Sequence, residues 1–292
     1  MATRKFKCKV CGYVHEGDKA PDRCPMCQAP SSEFEEITES GAEEVPQTGK
    51  KGLNTNGNMY TIIYSAIIVV IVAFLMAFVF QALKPAQDAN VALDKKKQIL
   101  AALNIRNLTN EQAAKEYTKD ITADMIIDAN GATIAKGSQG GEKDGFKLNS
   151  ADYKAGKLAV YICNVNGVTK YVVPVYGMGL WGPIWGYIAL NEDKGTVFGA
   201  YFNHESETAG LGAEIKDNTA WQEQFKGKKI FKSGSEDVAL SVLKKSDVKD
   251  PTTQCDAVTG ATLTSNGVSA MLKDCLSKYK TFLSGSKIKG EE

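Results

Sequence analysis

An apolar run at residues 59–83 is the feature that most constrains how this 292-residue chain can fold. The run contains no charged side chain, and about 20 apolar residues suffice for a helix to cross a bilayer. Tyr60 and Tyr64 lie near one end, where aromatic side chains favour the membrane interface. A cleaved signal peptide would have a shorter apolar stretch and would not follow a long polar segment. The run therefore predicts one membrane-spanning helix, with separate folded parts before and after it.

Four of the seven cysteines are clustered ahead of this run, in the pattern C-x2-C-x12-C-x2-C. Each C-x-x-C pair brings two thiolates to one cation from a tight turn, so two pairs supply four sulfur ligands in a tetrahedron. Such a site suits zinc or a single iron, and the spacing alone does not choose between them. The predicted metal ligands are Cys8, Cys11, Cys24 and Cys27. The other three cysteines are scattered singly, which predicts free thiols rather than a disulfide framework.

Changes in composition along the chain predict four segments. Residues 1–37 form a small cysteine module, and residues 38–58, which are rich in Glu, Gly, Thr and Asn, form a linker. Residues 59–83 form the transmembrane helix, which Pro85 is expected to end. Residues 84–292 form the main folded domain.

The main domain begins with helical patterns and then changes to shorter, alternating segments. Helices are predicted over residues 94–103, 111–117, 217–226 and 265–283, and a single strand over residues 238–243. Three pairs of apolar segments flank glycine-containing turns, which is typical of β-hairpins. The three turns lie at residues 130–131, 166–167 and 191–195. Hairpins bracketed by helices predict an α+β fold with an antiparallel sheet.

A threonine-containing motif precedes the last predicted helix, in the run Asp256-Ala257-Val258-Thr259-Gly260-Ala261-Thr262-Leu263-Thr264-Ser265. A helix N-terminus offers unpaired N–H groups and a positive dipole end, which suit a phosphate. Small residues at Gly260 and Ala261 let the backbone approach a ligand closely. The motif therefore predicts that Thr262 holds a phosphorylated group. The alternative is that Thr262 is an ordinary helix cap.

The same motif resembles the flavinylation sequence D-x-x-T-G-A-T-x-T-S of an FMN-binding family. That family includes the C subunit of the sodium-translocating NADH:quinone oxidoreductase and the G subunit of the Rnf complex. The stretch Glu207-Thr208-Ala209-Gly210-Leu211-Gly212 resembles the family's E-T-P-G-L-G loop, with Ala209 where proline is usual. Residues 176–186, which include Gly179-Leu180-Trp181, resemble a segment typical of the quinone reductase protein. Three matches in the family's order make the anchor and residues 84–292 similar to this family.

The resemblance implies an FMN bound covalently, through a phosphoester bond to Thr262. It also implies which residues surround the cofactor. The residues expected to hold the phosphate and ribityl end are Thr259, Gly260 and Ala261. Those expected to line the flavin from the facing loop are Glu207, Thr208, Leu211 and Gly212. Trp181 is expected beside the isoalloxazine ring and Lys244 near the phosphate, although Lys244 could equally be a solvated strand end.

By this resemblance, the chain is an electron-transfer subunit of a membrane NADH:quinone oxidoreductase that pumps sodium and serves ubiquinone. Its FMN would accept single electrons from an iron–sulfur centre in the D and E subunits and pass them to FMN in the B subunit. No residue is expected to act as acid or base, because the flavin supplies the redox chemistry. No G-x-G-x-x-G motif follows a predicted strand, so the chain alone is not expected to oxidise NADH. The nearest alternative is the Rnf protein, and the Gly179-Leu180-Trp181 segment favours the quinone reductase.

The cysteine module resembles the short rubredoxin domain of rubrerythrins over residues 8–17 and 20–27 and at Phe34. The resemblance implies one iron on four cysteines and one-electron transfer, which favours iron over zinc beside a flavin protein. A module of about 37 residues buries little core, so the metal is expected to be needed for folding. The alternative from another functional class is a non-enzymatic, membrane-anchored zinc-binding module in which Thr262 is only a cap.

The net charge of +1 gives no basic field for a nucleic-acid partner. The expected location is the bacterial inner membrane, with the cysteine module in the cytoplasm and the FMN domain in the periplasm. A metal site of C-x-x-C pairs is safest in a reducing compartment. The lysines that flank the anchor favour the opposite orientation, but that rule is weak for large flanking domains. They are Lys50 and Lys51 before it and Lys84, Lys95, Lys96 and Lys97 after it.

Overall fold

The computed structural model describes residues 4–37, 57–235 and 237–284. The chain divides into two compact units, Met1–Leu75 and Met76–Glu292, and the division falls within one long helix. Each unit has a β-sheet of its own.

The amino-terminal unit contains three strands, β1 (Arg4–Cys8), β2 (Val14–Gly17) and β3 (Phe34–Ile37). They form an antiparallel sheet in the order β2-β1-β3, and a short 3-10 helix at Ser31–Glu33 leads into β3. Among residues 4–37, the buried side chains are Phe6, Cys8 and Cys24. So small a core supplies little hydrophobic stabilisation, which supports the expectation that the module depends on a metal.

Helix α1 (Asn58–Ala102) contains the apolar run and continues well beyond it. Its most apolar window is exposed, and by length and composition α1 is long enough to cross a membrane. The prediction that Pro85 ends the helix is wrong, because α1 passes through Pro85 and absorbs the separate helix predicted over 94–103. Proline removes one backbone hydrogen bond, and the helix tolerates this because its later turns are fixed by burial of Ile99 and Leu100.

The second unit is built on a six-stranded sheet in which every neighbouring pair is antiparallel. Its strands are β4 (Ile121–Ile127), β5 (Thr133–Ala135), β6 (Leu158–Val165), β7 (Val168–Met178), β8 (Pro183–Leu190) and β9 (Val197–His204). Their order is β5-β4-β6-β7-β8-β9. The three predicted hairpins and the predicted α+β class are confirmed. A separate parallel pair consists of β10 (Ser241–Leu243) and β11 (Gln254–Asp256).

Six further helices surround this sheet. They are α2 (Asn110–Asp120), α3 (Ser150–Lys154), α4 (Glu214–Asp217), α5 (Thr219–Glu223), α6 (Thr262–Lys278) and α7 (Lys280–Leu283). Short 3-10 helices lie at Gly145–Lys147 and Lys245–Asp247. The helix predicted over 111–117 is confirmed as α2, whose N-cap Thr109 forms a capping box with Gln112.

Two elements predicted between β9 and the threonine motif differ from the structure. The helix predicted over 217–226 is wrong as one element, because the Asn218 side chain caps α5 by accepting from Trp221 N and so separates α4 from α5. The strand predicted over 238–243 is limited to β10. Its first half is irregular because two successive N–H groups there donate to the carbonyl of Ile230.

The last helix also differs from the helix predicted over 265–283. It begins earlier, at Thr262, and is interrupted at Tyr279 between α6 and α7. Tyr279 is buried, and its hydroxyl donates to the carbonyl of Ala159 in β6 at 2.9 Å. This tertiary hydrogen bond fixes where the helix turns, and the periodicity of the sequence does not contain it.

An apolar core lies on each face of the six-stranded sheet. Helix α6 covers one face with the buried side chains of Val268, Met271, Leu272 and Leu276. The end of α1 covers the other face with Ile99, Leu100, Ala102 and Leu103. The sheet is therefore buried on both sides, which holds its strands in one register.

The segment after α1 covers one edge of the sheet. Asn104 donates to the carbonyl of Phe198 and Arg106 donates to the carbonyl of Ala200, each at 3.1 Å. Both carbonyls belong to the outer edge of β9, the last strand of the sheet. An open strand edge invites pairing with another chain, so these two side chains protect β9 and attach α1 to the domain.

Helix α6 packs unusually close to the end of β7. A Cβ atom at Gly267 of α6 would collide with the carbonyl oxygen of Met178 and would lie 3.2 Å from the Cα of Gly179. Because backbone atoms are involved, a side chain at this position would have to push the helix away from the strand. The absence of a side chain at Gly267 therefore lets the start of α6 lie against the β7–β8 turn.

We expect Gly267→Ala to lower the stability of the domain, although alanine normally stabilises a helix interior by about 1 kcal/mol relative to glycine. Overpacking against backbone typically costs about 1–3 kcal/mol, which reverses the sign. Asn266→Ala is the matched control, because Asn266 is the exposed neighbour in the same turn, and its melting temperature should hold or rise. Thermal unfolding of both variants measures the difference. An equal rise in both would show that α6 does not pack as described.

Candidate metal centre and flavin site

The four cysteines predicted as metal ligands come together in the amino-terminal unit. Their sulfur atoms all lie within 4.8 Å of one another. Cys8 Sγ is 3.7 Å from Cys27 Sγ, and Cys11 Sγ is 3.5 Å from Cys24 Sγ. A tetrahedral site with metal–sulfur bonds of about 2.3 Å requires sulfur–sulfur distances of about 3.8 Å. The Cys8–Cys27 and Cys11–Cys24 distances are close to this value, so the cluster suits one zinc or iron ion.

The two C-x-x-C turns share one backbone pattern. In each turn the N–H of the first cysteine bonds the carbonyl five residues later, Cys8 to Tyr13 and Cys24 to Ala29, both at 2.8 Å. In each turn the residue after the second cysteine has a positive φ, 74° at Gly12 and 61° at Gln28. Repeating one local turn brings two pairs of sulfurs to one point, which explains why the spacing alone predicts the ligands.

The sulfurs of this cluster do not ionise independently. Burial opposes ionisation of the Cys24 thiol, yet the N–H groups of Cys27 and Met26 donate to its sulfur and lower its pKa to about 7. The N–H of Ala29 donates to the Cys27 sulfur, but burial and the neighbouring sulfurs raise the pKa of Cys27 to about 12. Like charges this close repel, so all four thiolates require a cation among them.

Thr262 is the first residue of α6, and the N-cap position is held by Ala261, which has no side-chain hydrogen bond. Thr262 is therefore not the helix cap considered as its alternative role. The first N–H groups of a helix have no partner within it, and the dipole makes this end positive. The half-buried Thr262 side chain lies at this end, which suits a phosphate group attached to or bound beside its hydroxyl.

The turn before Thr262 is held by hydrogen bonds from the helix that follows it. Ser265 Oγ accepts from the N–H of Val258 at 3.1 Å, and the N–H of Ala261 donates to the carbonyl of Val258 at 3.1 Å. Gly260 has a φ of 78°, which an L side chain rarely adopts. Thr259 and Gly260 are exposed on the outside of this turn. The motif thus forms a compact turn that presents its backbone outward.

The facing loop is closed by its own backbone. The carbonyl of Thr208 accepts from the N–H of Leu211 at 3.1 Å and from the N–H of Ala213 at 3.0 Å. These bonds fix the loop although Ala209 replaces the proline usual in the family. A Cβ at Gly260 would lie 2.9 Å from Leu211 Cδ2, so this loop directly contacts the threonine turn.

Exposed apolar side chains surround the start of α6. They are Met178, Leu180, Trp181, Leu211 and Leu263, and Trp181 is 67% exposed. Large apolar side chains grouped on a surface mark a binding site rather than a core. An indole and several aliphatic side chains suit the faces of an isoalloxazine ring. Helix N–H groups on one side and an apolar wall on the other fit the two ends of FMN.

The structure places Glu207 inside the protein and Lys244 at an exposed strand end, which the sequence analysis gave as the alternative for Lys244. Glu207 is buried, and its carboxylate bonds Thr264 and the backbone of Trp181 inside the protein. Lys244 is exposed directly after β10, and its neighbour Lys245 is the lysine that lines a groove of about 530 Å³ beside Thr259. The direct flavin contacts expected of Glu207 and Lys244 remain predictions.

Sequence reasoning missed the hydroxyl groups that organise the site from behind. Thr264 and Ser265 are both buried, with exposed fractions of 1% and 0%. Ser206 also contributes, since its Oγ donates to the carbonyl of Trp181 at 3.0 Å. Thr264 and Ser265 are part of the motif in the sequence. Their burial became clear only from the structure, in which α6 begins at Thr262.

Family models match the parts of the chain that contain these two sites. The model of the FMN-binding domain matches residues 179–277. The model of the rubrerythrin, rubredoxin-like domain matches residues 6–35. The predicted FMN-binding domain and rubredoxin-like module are therefore confirmed as family matches.

Named relatives match over most of the chain. The C subunit of the Na+-translocating NADH-quinone reductase from Haemophilus ducreyi is 35% identical over 206 residues, which cover 65% of this chain and 79% of the relative. The corresponding protein from Pseudomonas aeruginosa is 30% identical over 264 residues, which cover 82% of this chain and 99% of the relative.

Solved structures agree with these relatives. The crystal structure of the C subunit from Parabacteroides distasonis matches with a TM-score of 0.64 at 35% identity, over 70% of this chain and 98% of that one. NqrC from Shewanella oneidensis, at 23% identity and a TM-score of 0.55, shares the fold over 66% of this chain and 97% of that one. The identity and coverage of these relatives establish that the chain belongs to the family of the C subunit of the Na+-translocating NADH-quinone reductase, as a membrane-associated oxidoreductase component with an FMN-binding domain.

Proposed function

We propose that the chain relays single electrons within a sodium-pumping NADH:quinone reductase, through FMN bound to Thr262 by a phosphoester bond. The observation that carries the proposal is the position of Thr262, at the start of a 17-residue helix and among exposed apolar side chains. Family membership supports it independently. When bound, FMN supplies one-electron redox chemistry, and the protein supplies position and environment.

The residues of this chain would divide the binding of FMN between them. The N–H groups at the start of α6 hold the phosphate, while Thr259 and Gly260 present backbone beside it. Trp181, in the β7–β8 turn, and Leu211, in the loop after β9, would flank the ring. The partners would be the other proteins of the complex, with the iron–sulfur D and E subunits as donor and the FMN of the B subunit as acceptor.

We also propose that Cys8, Cys11, Cys24 and Cys27 bind iron rather than zinc. Both metals fit the sulfur geometry, and a one-electron carrier is the more useful neighbour for a flavin protein. Cys11 is exposed while Cys8 and Cys24 are buried, so one ligand reaches the surface of the module. The module would lie in the cytoplasm and the FMN domain in the periplasm, with residues 59–83 spanning the inner membrane.

Thr262→Ala should abolish covalent flavin while leaving the protein folded, because the mutation removes only the hydroxyl that forms the phosphoester. The chain is expressed in a host with a flavin transferase, and the measurement is flavin fluorescence of its band on a denaturing gel. Ser277→Ala is the control, since it removes an exposed hydroxyl from the same helix. A fluorescent Thr262→Ala band would overturn the assignment.

The full chain, expressed with ample iron, should hold one iron, be red when oxidised and bleach on reduction. Cys24→Ser should lose the metal and the colour, because one of four thiolates is removed. His15→Ala should keep both, since His15 is not among the clustered ligands. Metal analysis and visible absorption make the measurement. A colourless protein with stoichiometric zinc would favour the structural role instead.

Protease added to intact spheroplasts should digest the chain after Pro85 and spare the amino-terminal module. The reason is that the apolar run separates the two parts, and the metal site is placed in the reducing compartment. Antibodies to each end detect which part survives, and lysed cells show that both parts can be cut. Cleavage of the module in intact spheroplasts would reverse the proposed orientation.

A further inference from the structure

Glu207 joins three segments of the flavin site behind its surface. The side chain is only 7% exposed. Its Oε2 accepts from the hydroxyl of Thr264 at 2.6 Å, and its Oε1 accepts from the N–H of Trp181 at 2.9 Å. Thr264 belongs to the first turn of α6, and Trp181 lies at the tip of the β7–β8 turn. One carboxylate therefore connects the loop after β9 with both elements that would contact FMN.

The backbone of Trp181 is held on both sides by this loop. Glu207 accepts its N–H, and Ser206 Oγ donates to its carbonyl at 3.0 Å. The tip itself is closed by one backbone bond, from Gly179 N to the carbonyl of Gly182 at 2.8 Å. A glycine-rich turn has little stiffness of its own. The position of the exposed Trp181 ring thus depends on the two side chains that hold its peptide groups.

The space around the Glu207 carboxylate is closely matched to it. A Cβ atom at Gly179 would collide with Oε1, and a Cβ atom at Gly212 would collide with Oε2. The N–H of Glu207 in turn donates to His204 Nδ1 at 3.2 Å, which fixes the start of the loop to the end of β9. The carboxylate therefore has one well-defined place, and it faces the protein instead of the exposed apolar surface.

We propose that Glu207 is a positioning residue for the flavin: it fixes the Trp181 ring relative to Thr262 without touching the cofactor. This inference rests on the proposed attachment of FMN to Thr262. Loss of the carboxylate would break the link between the Trp181 peptide and Thr264 of α6, so the ring would no longer be held against one face of the flavin. Attachment itself requires only the Thr262 hydroxyl and should survive.

Glutamine is the variant that separates hydrogen bonding from charge. Its Oε1 can still accept from Trp181 N, and its Nε2 can donate to the Thr264 hydroxyl, which is able to accept. Alanine removes both bonds and leaves the Trp181 N–H and the buried Thr264 hydroxyl without these partners. Positioning by hydrogen bonds therefore predicts that glutamine rescues the function and alanine does not.

The test uses the full chain expressed with a flavin transferase, as wild type, Glu207→Ala, Glu207→Gln and Trp181→Ala. Glu205→Ala is the matched control, because Glu205 is an exposed carboxylate on the same loop. A denaturing gel measures covalent flavin, and visible circular dichroism and flavin fluorescence of the folded protein measure the environment of the ring. Melting temperatures are recorded for every variant.

We expect a fluorescent gel band in all five proteins. Glu207→Ala should lose most of the visible dichroism and show the raised flavin fluorescence of Trp181→Ala, while Glu207→Gln and Glu205→Ala keep the wild-type spectra. If Glu207→Ala does not fold, Thr264→Val removes one of the two bonds with a side chain of the same shape. It should shift the spectra in the same direction.

The outcomes separate the two proposals. A wild-type chain without a fluorescent band overturns the attachment to Thr262. A wild-type band together with unchanged spectra in Glu207→Ala, or in Thr264→Val where alanine does not fold, overturns the role of Glu207. Spectra of Glu207→Gln equal to those of Glu207→Ala would also overturn it, because they would make the charge, not the hydrogen bonds, responsible.

Discussion

The packing of α6 against β7 is the interaction on which the flavin site depends. Val268, Met271 and Leu272 bury one side of the helix in the core of the sheet. The absence of a side chain at Gly267 lets the start of α6 lie directly on the backbone at Met178. This contact brings the N-terminus of α6 to the end of β7, so Thr262 and the β7–β8 tip face a common surface. The β7–β8 turn and the loop after β9 then complete the candidate flavin site around Thr262.

The two candidate cofactor sites differ in how large a protein core supports them. The amino-terminal module buries few of its described side chains, and its four thiols would repel one another once ionised, which supports the expectation that it needs a metal to fold. The carboxyl-terminal domain has an apolar core on each face of its sheet, and the threonine motif joins one of these cores through Val258 and Ala261. Both of these cores consist of protein side chains alone. The rigid core supplies fixed loops for the flavin.

Short sequence patterns predicted the elements whose conformation depends on neighbouring residues alone. Alternating segments around glycine-containing turns predicted the three hairpins, and in the two Asn-Gly turns the glycines, Gly131 and Gly167, have a positive φ. The cysteine spacing gave the ligand set, because each C-x-x-C turn is a short self-contained structure. Local sequence patterns predicted helix boundaries wrongly where contacts with distant residues determine them. Pro85 was expected to end a helix, but burial of later turns keeps α1 continuous, and Asn218 divided a helix whose periodicity looked unbroken.

The sequence by itself determined the apolar span, the four-cysteine metal site, the α+β class and the motif around Thr262, since each depends on residue type and spacing within a short segment. The tertiary structure alone decided which residues near the start of α6 are exposed and which are buried behind them. Glu207 was expected to line the flavin, and the structure shows its carboxylate buried and bonded to Thr264 and Trp181. Its partners are 57 and 26 residues away along the chain. Only the packing of α6 and the β7–β8 turn around one buried carboxylate brings them together.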